Sequence, residues 1–374
     1  MSRVRLEGEA AMTDSQERVR TAIDAFRTGA IVVVTDDDDR ENEGDLIVAA
    51  SQCTPEKMAF IIRHTSGIVC APLTAADARR LNLEPMVARN DAPLGTAFTV
   101  SIDARHGVTT GISAEERATT VRALANGNMG AGDFVRPGHI FPLIAREGGV
   151  LMRSGHTEAA VDLCRLAGLP PVGVIGELMN DDGTVMRGDE IKAFAERHGL
   201  TRLAVADLIA WRQRRDKLVR RMAEFPVETA HGRATGFSYW TPFDNVEHLA
   251  LVFGDIGDGR DVLVRLHREQ ILRDVFGADR SLDRALERIA RLGRGVLVYL
   301  REGTAGVPHE TLAPSGTEES ESARKREEQW REIGLGAQIL KDLGLVSIRL
   351  LASKSRTYVG VAGFDIEILA TELV

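Results

Sequence analysis

Cysteine is scarce in this chain and stops early: of 374 residues only Cys53, Cys70 and Cys164 are cysteine, and none stands in a C-x-x-C spacing. That excludes a disulfide framework and gives no thiolate zinc cluster. Long apolar runs are missing too. No stretch approaches the ~20 residues of a membrane span, and residues 1–12 have no apolar signal core, so a cytoplasmic protein with no membrane partner is expected. Nor is there an excess of positive charge. The formal net charge is −8 and the pI is near 5.7, which argues against nucleic acid, since neutralising phosphates needs a basic face. What remains is ordinary soluble composition, 44% hydrophobic and 27% charged, in a chain long enough for two domains.

Acid is concentrated in one place, Thr35-Asp36-Asp37-Asp38-Asp39-Arg40-Glu41-Asn42-Glu43-Gly44-Asp45. Apolar runs at 31–34 and 46–50 flank it and read as buried strands that pin the loop at both ends. Like charges held that close repel, and a divalent cation or basic neighbours would relieve them. A hard-metal site is the sharp expectation, and a solvated surface turn is the plain alternative.

Around that loop helices and strands alternate, which predicts an α/β domain with a mixed sheet (mixed α+β). Residues 1–14 read as a flexible leader. A helix then starts at Asp14 or Ser15 with Val19, Ile23 and Phe26 on one face. Thr54-Pro55-Glu56 opens a second helix, and Thr74 with Asp77 and Ser113 with Glu116 form capping boxes. Strands are expected at 67–71 and 97–102. Arg136-Pro137-Gly138-His139 reads as a turn holding a histidine beside an arginine. Arg153-Ser154-Gly155-His156-Thr157-Glu158 opens a helix whose free N–H groups, with Arg153 and Thr157, suit a phosphate. The alternative for His156 is a capping or surface role. A strand at 171–175 runs out to Glu177, a placement that favours chemistry in α/β sheets, although an edge residue would look the same. Asp189 caps the next helix. A basic helix over 205–222 reads as a solvated face leading into a linker at 224–228. Strands at 234–239, 248–253, 261–267, 295–300, 347–352 and 364–369, with helices at 282–292 and 326–343, build a second α/β domain. Residues 302–322, rich in Gly, Pro, Ser, Thr and Glu, form a long loop.

The segments DDDDRENEGD, SGIVC, GVTTG, RPGHIFPL, RSGHTEAAVDL and GELMNDDGT, in that order and spacing, resemble 3,4-dihydroxy-2-butanone 4-phosphate synthase. The likeness runs from about residue 15 to 215 and implies a three-layer, mixed-sheet synthase domain over residues 15–223. It implies an enzyme of riboflavin biosynthesis that converts ribulose 5-phosphate to that product and formate, using Mg²⁺ or Mn²⁺, two per active site, in a homodimer. It further implies metal ligands at Glu41 and His156, and substrate contacts at Arg40, Glu41, Asp45, Arg153, Ser154, Gly155, His156, Thr157 and Glu177. Ser154 stands where glycine is commoner. Catalytic roles fall to His139, Glu177 and Asp45, with no single proton transfer assigned to any one of them. Ser66, Cys70 and Thr110 lie in matching motifs.

Residues 224–374 resemble GTP cyclohydrolase II through HLALVFGDIGDG, VLVRLH, DVFG, ALERIARLGRGVLVYLREG and IGLGAQILKDLGL. That family holds zinc with three cysteines in this region. Here Gln270 stands where the first would be, and no cysteine follows Cys164. An amide cannot replace a thiolate on zinc, so no zinc and an inactive domain are expected. The domain is then a structural or regulatory module, which could couple to another riboflavin-pathway enzyme. Residual or altered cyclohydrolase activity, or a wholly non-catalytic scaffold, are the alternatives.

Overall fold

The computed structural model describes the chain apart from residues 1, 37–40, 93, 242–245, 278–279, 302–333, 353–365 and 374, and gives backbone alone for 2–14. Two compact units divide at Trp211 and Arg212.

The first unit runs α1 (Ser2–Arg27), β1 (Val32–Thr35), β2 (Gly44–Ala49), α2 (Pro55–His64), β3 (Cys70–Leu73), α3 (Ala75–Arg80), β4 (Ile102–Ala104), α4 (Ala114–Leu124), β5 (Phe134–Ile144), α5 (His156–Leu166), β6 (Gly173–Glu177), α6 (Asp189–His198) and β7 (Thr201–Ala204). The sheet order is β4-β5-β3-β6-β2-β1-β7. It is mixed, with β1 parallel to β7 and β3 parallel to β5, while β2 is antiparallel to both β1 and β6. Interior strand β2 is buried along its whole length, so its alternate residues serve two different helical layers. A Cβ on Gly44 would meet Ile191 of α6, whereas one on Gly173 would meet Ala160 of α5. The layer of α2, α4 and α6 closes the main core around Leu46, Val48, Met58, Ile61, Val121 and Phe134. Helices α1 and α5 form the other layer, and Asp45 faces α5.

The expected helix caps are present, with Thr54 accepting from Lys57 N–H and a full capping box between Ser113 and Glu116. Four expectations need correction, one being the strand at 97–102, where Phe98 and Thr99 form only isolated bridges and β4 begins at Ile102. The leader is helical, because α1 begins at Ser2 in a stretch rich in good helix formers (Glu, Ala, Arg). Gly188, not Asp189, occupies the N-cap of α6. Residues 136–139 lie within β5 rather than in a turn. Opposite them β4 advances by one residue, since Ile102 pairs with Ile140 and Asp103 with Val135. The extra residues bulge out of the ladder, and a bulge has the same proline and glycine composition as a turn. Gly138 is required there, because a Cβ would lie 2.0 Å from the Ile102 carbonyl carbon.

After α7 (Val205–Arg215), the second unit contains β8 (Arg220–Thr229), β9 (Gly232–Trp240), β10 (His248–Phe253), β11 (Val262–Arg268), α8 (Ile271–Val275), α9 (Ser281–Leu292), β12 (Gly295–Leu300), β13 (Ser347–Ala352) and β14 (Glu367–Leu373). Its sheet order is β14-β13-β11-β12-β10-β9-β8. Strands β11 to β14 run parallel, whereas β8, β9 and β10 form an antiparallel meander joined to β12. Ala285 and Ile289 of α9 pack with Leu263, Leu297 and Leu351. The expected basic helix ends at Arg215, and the supposed linker at 224–228 is part of strand β8. Pairing with β9 overrides the local pattern, as the Arg221 guanidinium lies 4.7 Å from the Phe237 ring centroid and bonds Asp342. The stretch 302–322 and the start of the last expected helix lie outside the described residues. Among the described residues no helix is long and apolar enough to cross a membrane.

Candidate active site

The acidic stretch connects β1 to β2, and register fixes what faces what. Asp45 pairs across the sheet with Val34 on one side and with Glu177 on the other. Side chains directly opposite in an antiparallel pair lie on one face, so two carboxylates stand together beneath the start of α5. His156 opens that helix, with Gly155 as its N-cap. Its Nδ1 is 3.7 Å from both Glu41 Oε2 and Asp45 Oδ1. Asp36 shapes the loop, its two carboxylate oxygens accepting the N–H groups of Glu41 and Glu43 at 3.1 and 2.9 Å. Ligand atoms of Asp36, Glu41 and His156 all lie within 4.8 Å of one another.

Burial and crowded negative charge perturb three of the acids here. Asp45 is 2% exposed. Burial first, and then the charges of Glu177, Glu41, Asp36 and Glu43, push its carboxyl well above the usual range. Partial burial of the carboxyl followed by the Glu41 charge raises Glu177, although the residue as a whole is exposed at the strand end. Burial and Glu177 raise Glu43 against the opposing Arg187, 3.2 Å away. Asp45 Oδ1 is buried without a hydrogen-bond partner among the described residues. Oxygen donors with one imidazole, mutually repelling and partly unsatisfied, fit a hard divalent cation.

Beside this cluster lies a second, basic feature. The Arg153 guanidinium donates to Glu158 Oε2 at 2.8 Å and to Thr96 Oγ1 at 3.1 Å. Glu158 is 1% exposed, and its other oxygen accepts the Arg146 N–H at 2.9 Å. One turn on, Asp162 accepts the Val150 N–H at 2.8 Å. Both carboxylates therefore reach back from α5 and brace the segment that carries Arg153. Ser154, Gly155 and Thr157 complete the helix entrance, where the positive end of the helix dipole favours an anion.

The structure thus brings Glu41, Asp45, His156 and Glu177 together and places Arg153, Ser154, Gly155 and Thr157 next to them. Arg40 lies outside the described residues. His139 is hydrogen-bonded to Asp103 through both its backbone N–H and its ring. Cys70 opens β3 opposite Ile175, and burial, then Asp45 and Glu177, push its thiol up to about 12. The Ser66 N–H donates to the Glu177 carbonyl at 2.9 Å. Sequence reasoning missed Asp36 as a candidate ligand, as well as Glu158 and Asp103. A signal existed for the last, since a lone carboxylate between buried Ile102 and Ala104 needs a partner.

The sequence profile of 3,4-dihydroxy-2-butanone 4-phosphate synthase matches residues 20–211. The chain belongs to this synthase family. The profile of GTP cyclohydrolase II matches residues 220–373. The riboflavin biosynthesis protein RibBA of Nocardia farcinica is 50% identical over 368 residues, covering 94% of this chain and 89% of that protein. A bifunctional riboflavin biosynthesis protein of Arabidopsis thaliana is 46% identical over 364 residues, covering 93% of this chain and 67% of that protein. Among solved structures, the two-domain synthase RibBX of A. baumannii superposes with a TM-score of 0.80 at 37% identity, covering 95% of this chain and 99% of that one. A synthase in complex with two magnesium ions matches with a TM-score of 0.52 at 49% identity, covering 53% of this chain and 97% of that one. The protein is accordingly a 3,4-dihydroxy-2-butanone 4-phosphate synthase of riboflavin biosynthesis, joined to a GTP cyclohydrolase II-like unit.

Proposed function

We propose that the first unit converts D-ribulose 5-phosphate to 3,4-dihydroxy-2-butanone 4-phosphate and formate by enolisation, dehydration, rearrangement and loss of C4. The observation that carries this reading is the convergence of Asp36, Glu41, Asp45, Glu177 and His156 beside the Arg153 arm. Glu41 and His156 would hold a divalent cation, Mg²⁺ or Mn²⁺ and two per site, with Asp36 as a neighbouring donor. When bound, the cation supplies Lewis-acid stabilisation of negative charge on the substrate's oxygens. Arg153, the α5 entrance and Thr157 anchor the phosphate, which orients the carbon chain over the carboxylates. Asp45 and Glu177, with carboxyls raised by burial and by neighbouring carboxylates, can exchange protons with sugar hydroxyls. His139 is a further proton carrier, and Arg40 contacts substrate.

The test is His156→Ala in the full chain, given ribulose 5-phosphate and Mg²⁺ while formate is followed. Formate release should be abolished, and near-normal release would sink the metal-site reading. On the same family likeness the enzyme is taken as a cytoplasmic homodimer, and light scattering gives its mass directly.

For the second unit we infer a structural or regulatory role. At the end of β11, where the resemblance expects the first zinc thiolate, His267 Nε2 lies 2.9 Å from Asp274 and the Tyr299 hydroxyl donates to the same carboxylate at 2.9 Å. Gln270 joins through its backbone, its N–H donating to Asp274 and its carbonyl accepting the Asp274 N–H. These groups satisfy one another and offer no thiolate. One tightly bound zinc per chain with pyrophosphate release from GTP would overturn this.

A further inference from the structure

We propose that Asp103 is a positioning residue that fixes the tautomer of His139, holding the proton on Nδ1 and leaving Nε2 as the basic nitrogen. This rests on the reading above that His139 carries protons in the synthase reaction. The Asp103 carboxylate meets His139 twice: Oδ1 accepts its backbone N–H at 2.9 Å, and Oδ2 lies 2.8 Å from ring Nδ1. An ionised carboxylate can only accept, so Nδ1 must donate. Asp103 is 5% exposed and the His139 side chain 41%, so the carboxylate is a buried support beneath a ring open on its other side.

Two features of the surroundings accommodate this pair. Gly111, at φ +80, leaves room where a Cβ would sit 2.1 Å from Asp103 Oδ2, so the glycine ending the GVTTG segment makes space for this carboxylate. The bulge at 136–139 carries His139 over the β4 backbone, and Ser101 Oγ accepts the Gly138 N–H at 3.1 Å. Arg117, held by the carbonyls of Ile112 and Gly67, has its pKa lowered by burial, with the Asp103 charge opposing that effect.

Asp103→Asn separates this role from a structural one. The His139 backbone N–H can only donate, so the asparagine oxygen stays on it and the amide NH₂ turns to the ring. Nδ1 must then accept, and the proton moves to Nε2. The experiment uses full-length chain labelled with ¹⁵N-histidine and read by NMR above the ring's titration, with His139→Gln to assign the signal. The parent should show Nδ1–H and Asp103→Asn should show Nε2–H. In the variant kcat for formate release should fall on the order of 10²-fold, with KM within about threefold. Ser101→Ala loosens the same bulge but spares the carboxylate, and should keep kcat within about threefold of the parent.

A parent ring already protonated on Nε2 overturns the inference without any variant. So does a tautomer that does not change in Asp103→Asn, or an equal loss of kcat in Ser101→Ala. A changed tautomer with unaltered kcat overturns the role of His139 in turnover. Absence of formate from the parent chain overturns the proposed reaction instead, and the NMR result still decides the tautomer.

Discussion

Removing the Glu158 carboxylate should destabilise the synthase unit by about 3 kcal/mol, the lower end of the ~3–5 kcal/mol typical when one partner of a buried ion pair is deleted. The lower end applies because the Arg153 side chain is 14% exposed against 1% for Glu158, so water recovers part of the lost interaction. In Glu158→Ala the guanidinium keeps Thr96 but loses its counter-charge, and the Arg146 N–H loses its acceptor. For a unit of this size ~3 kcal/mol corresponds to roughly 6–12 °C in the melting transition, measurable by calorimetry on the full chain. The pair is not simply stabilising, however. Burial raises the Glu158 carboxyl despite the opposing effect of Arg153, so ionising it at this position carries a cost. Replacing both partners with apolar residues, Glu158→Leu with Arg153→Met, should therefore restore stability to within about 1 kcal/mol of the parent. It should also raise KM for the sugar phosphate steeply, since no cation remains to face the anion. A Glu158→Ala change below about 0.5 kcal/mol, or a double variant as unstable as the sum of the single ones, would refute the reasoning.

Metal-stripped chain at about 100 times Kd of Mg²⁺ should gain ~2.7 kcal/mol, and Glu41→Gln should gain much less; equal thermal shifts in the two would remove Glu41 from the site. The carboxyl of Glu116 is held down to about 2 by the Thr109 N–H, then by the Thr109 hydroxyl and Ser113. Since that lies below the unfolded value near ~4.3, its contribution is in place above that pH and is lost as pH falls from there toward about 2. Glu116→Gln should flatten the acid limb of urea-measured stability in that window, and an unaltered slope would refute it. In the second unit the Gln338 amide accepts the Leu218 N–H at 2.7 Å and donates to the Gln213 and Asp216 carbonyls at 2.9 and 2.7 Å. Gln338→Leu should cost roughly 1–3 kcal/mol by leaving buried backbone groups unmatched, and a neutral effect on urea unfolding would show that water replaces the amide.

The hairpin around the acidic loop, the helix entered at His156 and the strand ending in Glu177 were all legible, because each announces itself within a few residues through apolar runs, caps and glycines. What escaped the sequence depends on distant partners. Asp103 and His139 are 36 positions apart, and only the close approach of β4 and β5 joins them. The bulge was taken for a turn because proline and glycine mark both, and pairing alone distinguishes them. Strand β8 was hidden for a similar reason. Its arginines look like a solvated helix face until Phe237, Tyr239 and Asp342 of other elements come into view. Asp36 read as one of a series of equivalent acids, and only its acceptance of two loop N–H groups distinguishes it.

Strand β2 acts as a reading frame. Because its two faces serve different layers, Gly44, Leu46 and Val48 build the core while Asp45 serves chemistry, and the two sets alternate without a spare residue. A slip of one position against β6 would push a carboxylate into the hydrocarbon interior and set leucine where the cation and sugar must go. Insertions and deletions should therefore be excluded from the strand. The fold's stability and the enzyme's function are thus encoded in the same register, and neither can drift without the other.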